Sequence, residues 1–123
     1  MERRASVNVL ALATLFAASG TLHFVVPRHF ESIVPHRLPA RRTLVYASGA
    51  AELACAAGLV VPRTRRTAGL ASTAVLVAVF PANVQMAADV CRSSGGPLAK
   101  VLVLLRLPLQ LPMTRTAWRA WRT

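Results

Sequence analysis

The chain has 123 residues, 54% of them hydrophobic and 15% charged, with a mean hydropathy of +0.48. So few charges, with the apolar residues gathered in long runs, exclude an ordinary soluble domain of this size. The formal charge is +11, but the arginines lie mostly between the apolar runs, and only Tyr46, Trp118 and Trp121 offer amphipathic stacking surfaces. That pattern argues against nucleic acid as a partner and fits anchoring at the anionic headgroups of a lipid bilayer.

Length narrows the reading further. Four spans of about 18–20 residues, with their connections, use nearly all of the chain and leave no room for a separate soluble domain. The expectation is therefore an all-α fold, one membrane domain over 1–123. It is a four-transmembrane-helix bundle with a short interfacial helix between helices one and two.

Span one is expected over 7–26. It follows Arg3 and Arg4 and runs apolar past Ala17-Ala18-Ser19 through Phe24–Val26, which suits a retained helix better than a cleaved signal peptide. The segment 27–43 is punctuated by Pro27, Pro35 and Pro39. Within it Phe30, Ile33 and Val34 fall at i, i+3 and i+4, the pattern of a short helix lying on the interface and capping one mouth of the bundle. Span two, 44–61, is rich in Ala, Gly and Ser, whose small side chains let helices approach closely in lipid. A tight basic turn, Pro62-Arg63-Thr64-Arg65-Arg66, leads to span three at 67–88, which Pro81 is expected to break. Gly95-Gly96-Pro97 supplies turn chemistry before a last helix. Span four, 98–113, carries Lys100, Arg106, Pro108 and Pro112, and the tail alternates arginines with Trp118 and Trp121 as an interfacial belt does.

Basic residues set the expected orientation. Arg3, Arg4, the turn at 62–66 and the late Arg115, Arg119 and Arg122 fall on one side, and they outnumber the basic residues on the other. The chain reads as a multi-pass protein of the cell membrane with both termini cytoplasmic.

Ionisable groups inside a membrane are costly and are functional candidates by default. At 1.5 Å per residue, Glu52 and Arg106 each lie about 12 Å below the outer ends of their spans, so an ion pair between them is feasible. His23 and Asn83 sit nearer the same side on the other two spans, and Gln110 lies one turn deeper than Arg106. One polar residue from each helix thus converges in the outer half of the bundle. The cluster either fixes helix register through a Glu52–Arg106 pair or serves a ligand, quinone or proton-handling site. Cys55 and Cys91 lie at different depths and belong to no ligand-spaced set, so neither a disulfide nor a metal site is expected. No catalytic set is evident.

Several runs resemble small DoxX-like membrane proteins. They are His23-Phe24-Val25-Val26-Pro27 with Phe30, Ile33-Val34-Pro35 and Leu38-Pro39, then Leu44-Val45-Tyr46-Ala47-Ser48-Gly49 leading to Glu52-Leu53. The turn at 62–66, Phe80-Pro81-Ala82-Asn83-Val84, and Arg106-Leu107-Pro108-Leu109-Gln110 with Trp118 complete the set over roughly residues 20–121. The resemblance implies a four-helix membrane bundle linked to quinol-oxidase subunits, thiosulfate–quinone oxidoreduction or oxidative-stress complexes. It points to His23, Glu52, Asn83, Arg106 and Gln110 as the polar motif positions, and to a quinone as the cofactor. Because the chain has no cysteine or histidine pair for a bound redox centre, the expected role is a non-catalytic accessory subunit beside a redox-enzyme partner. The alternatives are a membrane oxidoreductase in its own right and, behind it, a small transporter.

Overall fold

A computed structural model describes residues 4–31, 34, 38–92 and 96–123, excluding the side chains of 99, 102 and 103. Among the described residues the regular structure is entirely helical: α1 (Val7–Val25), α2 (Pro27–Glu31), α3 (Arg41–Val60), α4 (Arg65–Arg92) and α5 (Pro97–Arg122). Three of these, α1, α3 and α4, are long and apolar enough to cross a membrane. That is compatible with a membrane protein. The fourth long helix, α5, has 26 residues and bears Lys100 and Arg106 as well as the basic tail, which lowers its apolar character.

Each long helix runs antiparallel to the next. The end of α1 meets the beginning of α3, where Phe24 stacks on Tyr46 at 5.2 Å. The hairpin between α3 and α4 turns through 61–64, and Gln110 of α5 reaches the Leu76 carbonyl near the middle of α4. The apolar core fills the half of the bundle nearest the chain termini. It is built from Leu12 and Phe16 of α1, Cys55 and Leu59 of α3, Leu76 of α4, and Ala117 and Ala120 of α5. Outward faces stay apolar too: Leu15, Val77, Leu105 and Leu111 are all more than half exposed. Such outward apolar faces are compatible with a lipid surrounding.

Helix ends follow from local chemistry. Ser6 caps α1, its hydroxyl accepting from the Val9 N–H at 3.2 Å. The basic turn closes α3. The Thr64 hydroxyl donates to the Gly58 carbonyl at 2.9 Å and Arg65 Nε to the Leu59 carbonyl at 2.8 Å, satisfying acceptors that a helix end leaves open. Arg66 Nε does the same for α5, donating to the Trp121 carbonyl at 3.0 Å.

Two expectations change. Pro81 does not break the third span: α4 is continuous across it for 28 residues. The lost N–H removes a single hydrogen bond, and packing of neighbouring helices holds the rest of the ladder. The last helix does not stop at Met113 but continues to Arg122, because Ala117 and Ala120 pack against α4 where Gly69 leaves room. The short helix expected between the first two long helices forms as α2, five residues ending at Glu31. Ile33 and Gly95 lie outside the described residues.

Small residues bring α1 and α3 together. A Cβ on Gly20 would stand 2.8 Å from the Gly49 carbonyl oxygen, and one on Gly49 would stand 2.7 Å from His23 Cβ. The two backbones cross with no space for a side chain, as small residues permit in lipid-facing bundles. Gly49→Ala is expected to destabilise the fold by about 1–3 kcal/mol through forced separation of α1 and α3. Thermal unfolding in detergent measures this, with exposed Ala47→Ser as a control that leaves the transition unchanged.

Candidate functional site

The half of the bundle away from the termini holds a cavity of about 90 Å³. Its walls include His23 of α1, Glu52 of α3, Asn83 of α4 and Arg106 of α5, with Phe30 of α2 and Val34 at the mouth. Four of the five polar positions singled out in the sequence therefore line one space. Depth along each helix set their level, and the helix crossings turned them towards each other.

His23 is fixed by three neighbours. Its Nδ1 donates to the Ser19 carbonyl at 2.6 Å, one helical turn back, which assigns the ring proton to that nitrogen. The ring stacks on Phe30 at 3.8 Å and 21°. The same nitrogen stands 3.8 Å from Glu52 Oε2, an ionic contact only when the imidazole is protonated. In the neutral tautomer that leaves Nε2 as an acceptor.

Glu52 is buried, at 6% exposure, and Ser19 hydrogen-bonds its carboxyl. Oε2 has no hydrogen-bond partner among the described residues. A buried acceptor left in that state costs about 1–3 kcal/mol, more when charged, and calls for a donor. The expected Glu52–Arg106 pair takes a different form. His23 is the near neighbour, its Nδ1 3.8 Å from Oε2, while Arg106 lies on the same cavity wall and, among the described residues, forms no salt bridge with Glu52.

Gln110 does something else. It is buried, and its Nε2 donates to the Leu76 carbonyl at 2.7 Å, tying α5 to α4 below the cavity. The bonded carbonyl directly precedes that of Val77, the one Pro81 cannot engage. Gln110 marks the boundary between the polar half and the apolar core. Ser19 was not anticipated as a member of the site, although its spacing of four from His23 puts both on one helix face. Ser48, another lining residue, is likewise four before Glu52.

The mouth is strapped by charge. Arg42 donates to Glu31 through Nε at 2.8 Å and through a second nitrogen at 3.2 Å, a two-pronged pair linking α2 to the start of α3. The hydrogen bond from Arg42 holds the Glu31 carboxyl below its ordinary range, with smaller help from the charges of Arg42, Arg28 and Arg41. A lowered carboxylate stabilises the closed mouth at pH above the ordinary glutamate range, and that contribution is lost as pH falls through the lowered value. Protection of the 27–31 amides from hydrogen exchange, taken relative to the intrinsic rate at each pH, is expected to fall in acid. Glu31→Gln is expected to lower that protection at neutral pH and to remove its acid dependence.

Both cysteines are free, Cys55 buried and Cys91 exposed. Among the described residues no three His, Cys, Asp or Glu side chains gather as a metal-binding group.

No curated protein and no solved structure matches the chain. A family described as "Domain of unknown function (DUF8561)" matches residues 12–121, which takes in α1 from Leu12 onward, α2, α3, α4, the cavity and α5 up to Trp121. The chain belongs to the DUF8561 family.

Proposed function

We propose that this is an integral protein of the cell membrane, DoxX-like in its motifs, that serves as a non-catalytic accessory subunit of a membrane redox system. In this reading α5 is a fourth span, the termini are cytoplasmic, and the cavity at Glu52 receives the polar edge of a quinone-type lipid. Support for the fourth span comes from the outward face of α5, where Leu98, Leu104, Leu105, Leu109 and Leu111 are all at least half exposed. Such a face suits lipid, and Lys100 lies near enough to the helix end to reach the headgroups.

The observation that carries the ligand reading is the unpartnered Oε2 of Glu52 on the cavity wall. A carboxylate oxygen accepts, so its natural partner is a hydroxyl donor such as a quinol, while Asn83 and Arg106 supply N–H donors for a carbonyl oxygen. At roughly 30 Å³ per water, the space holds a few waters or the edge of a headgroup, not a whole ring with its tail. His23, whose Nδ1–H is held by the Ser19 carbonyl, lines the same edge beside the Glu52 carboxylate, and its Nε2 remains an acceptor. An accessory role follows from this chemistry: the residues bind and orient a ligand and offer proton positions, and a partner enzyme supplies electron transfer.

Mass spectrometry of lipids and proteins retained after purification in mild detergent tests the reading. The expected result is co-purifying quinone together with a redox-enzyme partner. Glu52→Gln should lower quinone retention about tenfold, since a hydrogen bond to a charged group is worth about 1.5–3 kcal/mol. A preparation with no quinone, and a partner complex indifferent to Glu52→Gln, overturns it. Reporter fusions to each terminus check the orientation.

A further inference from the structure

At the opposite end of the bundle, among the chain termini, lies a second and larger cleft of about 570 Å³. Arg4 precedes α1, Arg65 opens α4, and Arg115 and Arg119 lie one turn apart on α5; all four line it, with Ser6 and Thr116 between them. Helices far apart in sequence thus bring guanidinium groups to one space; among the described residues no Asp or Glu lines it, and Thr123, the last residue, also forms part of its wall. Of the chain's four acidic residues, Glu31, Glu52 and Asp89 belong to the other half, and Glu2 lies outside the described residues.

The arginines are not equivalent. Arg65 already closes α3 by donating to the Leu59 and Val60 carbonyls. Arg4, Arg115 and Arg119 are exposed, and among the described residues none of them has a carboxylate partner. Grouping like charges costs energy unless an anion resides among them. Guanidinium forks match the oxygens of phosphate in pairs, and the hydroxyls of Ser6 and Thr116 add donors.

The surroundings say which phosphate. Val7 is 83% exposed and Leu111 74%, and each adjoins in sequence a residue that lines the cleft, Asn8 and Pro112. Trp118 and Trp121 pack edge to face at 4.6 Å on the same stretch of α5, as aromatic side chains do at a membrane surface. A polar cleft beside bare apolar helix surface fits an amphiphile better than a free ion.

We propose that this cleft is a binding site for the phosphodiester headgroup of an anionic phospholipid, held chiefly by Arg4, Arg115 and Arg119. The proposal rests on the membrane reading above but not on what occupies the Glu52 cavity. The site ties the ends of α1, α4 and α5 to one lipid of the cytoplasmic leaflet.

Native mass spectrometry of the full chain in detergent, titrated with phosphatidylglycerol or phosphatidylcholine, provides the test. Phosphatidylglycerol is expected to bind about tenfold more tightly, because each arginine near an anionic headgroup contributes several-fold. The double variant Arg115→Gln with Arg119→Gln should bring the two lipids level, while Arg28→Gln at the far end should leave the preference intact. Arg4→Gln, outside every helix, should lower the preference in part and serves if the double variant does not fold. Equal binding of both lipids by the unaltered chain, or a preference that survives these changes, overturns the site. Displacement of phosphatidylglycerol by millimolar inorganic phosphate overturns the lipid assignment in favour of a free anion. Recovery of the chain in the soluble fraction is a separate outcome that sinks the membrane reading itself.

Discussion

The close crossing of α1 and α3 is the contact on which the polar half of the bundle depends. Gly20 and Gly49 meet with no room for a Cβ on either, so the two helices are held at a single distance and rotation. His23 and Glu52 each lie three residues beyond one of these glycines, roughly one turn along the same face. The glycine contact therefore sets the imidazole and the carboxylate 3.8 Å apart. Phe30 then covers the imidazole, and the Glu31–Arg42 pair holds Phe30's helix against α3. Cavity, lid and strap all follow from two missing side chains.

The bundle is thereby divided along its length. Towards the termini, Leu12, Phe16, Leu59 and Leu76 build the apolar core, Ser72 of α4 is buried between Ala68 and Leu76 along the helix, and Gly69 lets α5 lie close on α4. Towards the other end the packing opens and polar side chains face inward. Gln110 stands at the transition, spending its amide on a backbone carbonyl of α4 rather than on the cavity. A buried amide that bonds to backbone fixes the register of two helices, which is a structural task; an unpartnered carboxylate oxygen beyond it is the feature that invites a ligand. Anchoring at the terminal end comes from the arginines of the turn, which double as caps for α3 and α5.

Much of this was legible in one dimension because helices repeat regularly. A rise of 1.5 Å per residue converts position along a helix into height, so Glu52 and Arg106 were identifiable as level, and His23 and Asn83 as sharing their half of the bundle, before their directions were known. Direction is where the sequence ran out. Gln110 follows Arg106 by one turn yet bonds to the Leu76 carbonyl, and Arg106 reaches the cavity wall with, among the described residues, no salt bridge to Glu52. Proline misled for a related reason. Its local preference is to end a helix, but α4 continues across Pro81 with α5 packed against it, and tertiary packing outweighs the one missing hydrogen bond.

By itself the sequence determined the all-helical class, the positions of the long apolar segments and the depth of the polar residues. These depend on composition and on the fixed geometry of the helix. Only the tertiary structure decided that His23, not Arg106, stands next to Glu52, that Ser19 and Phe30 complete the site, and that Arg4, Arg115 and Arg119 share one cleft. Those facts depend on how helices rotate and cross, and that is set by where small residues allow contact between elements far apart in the chain.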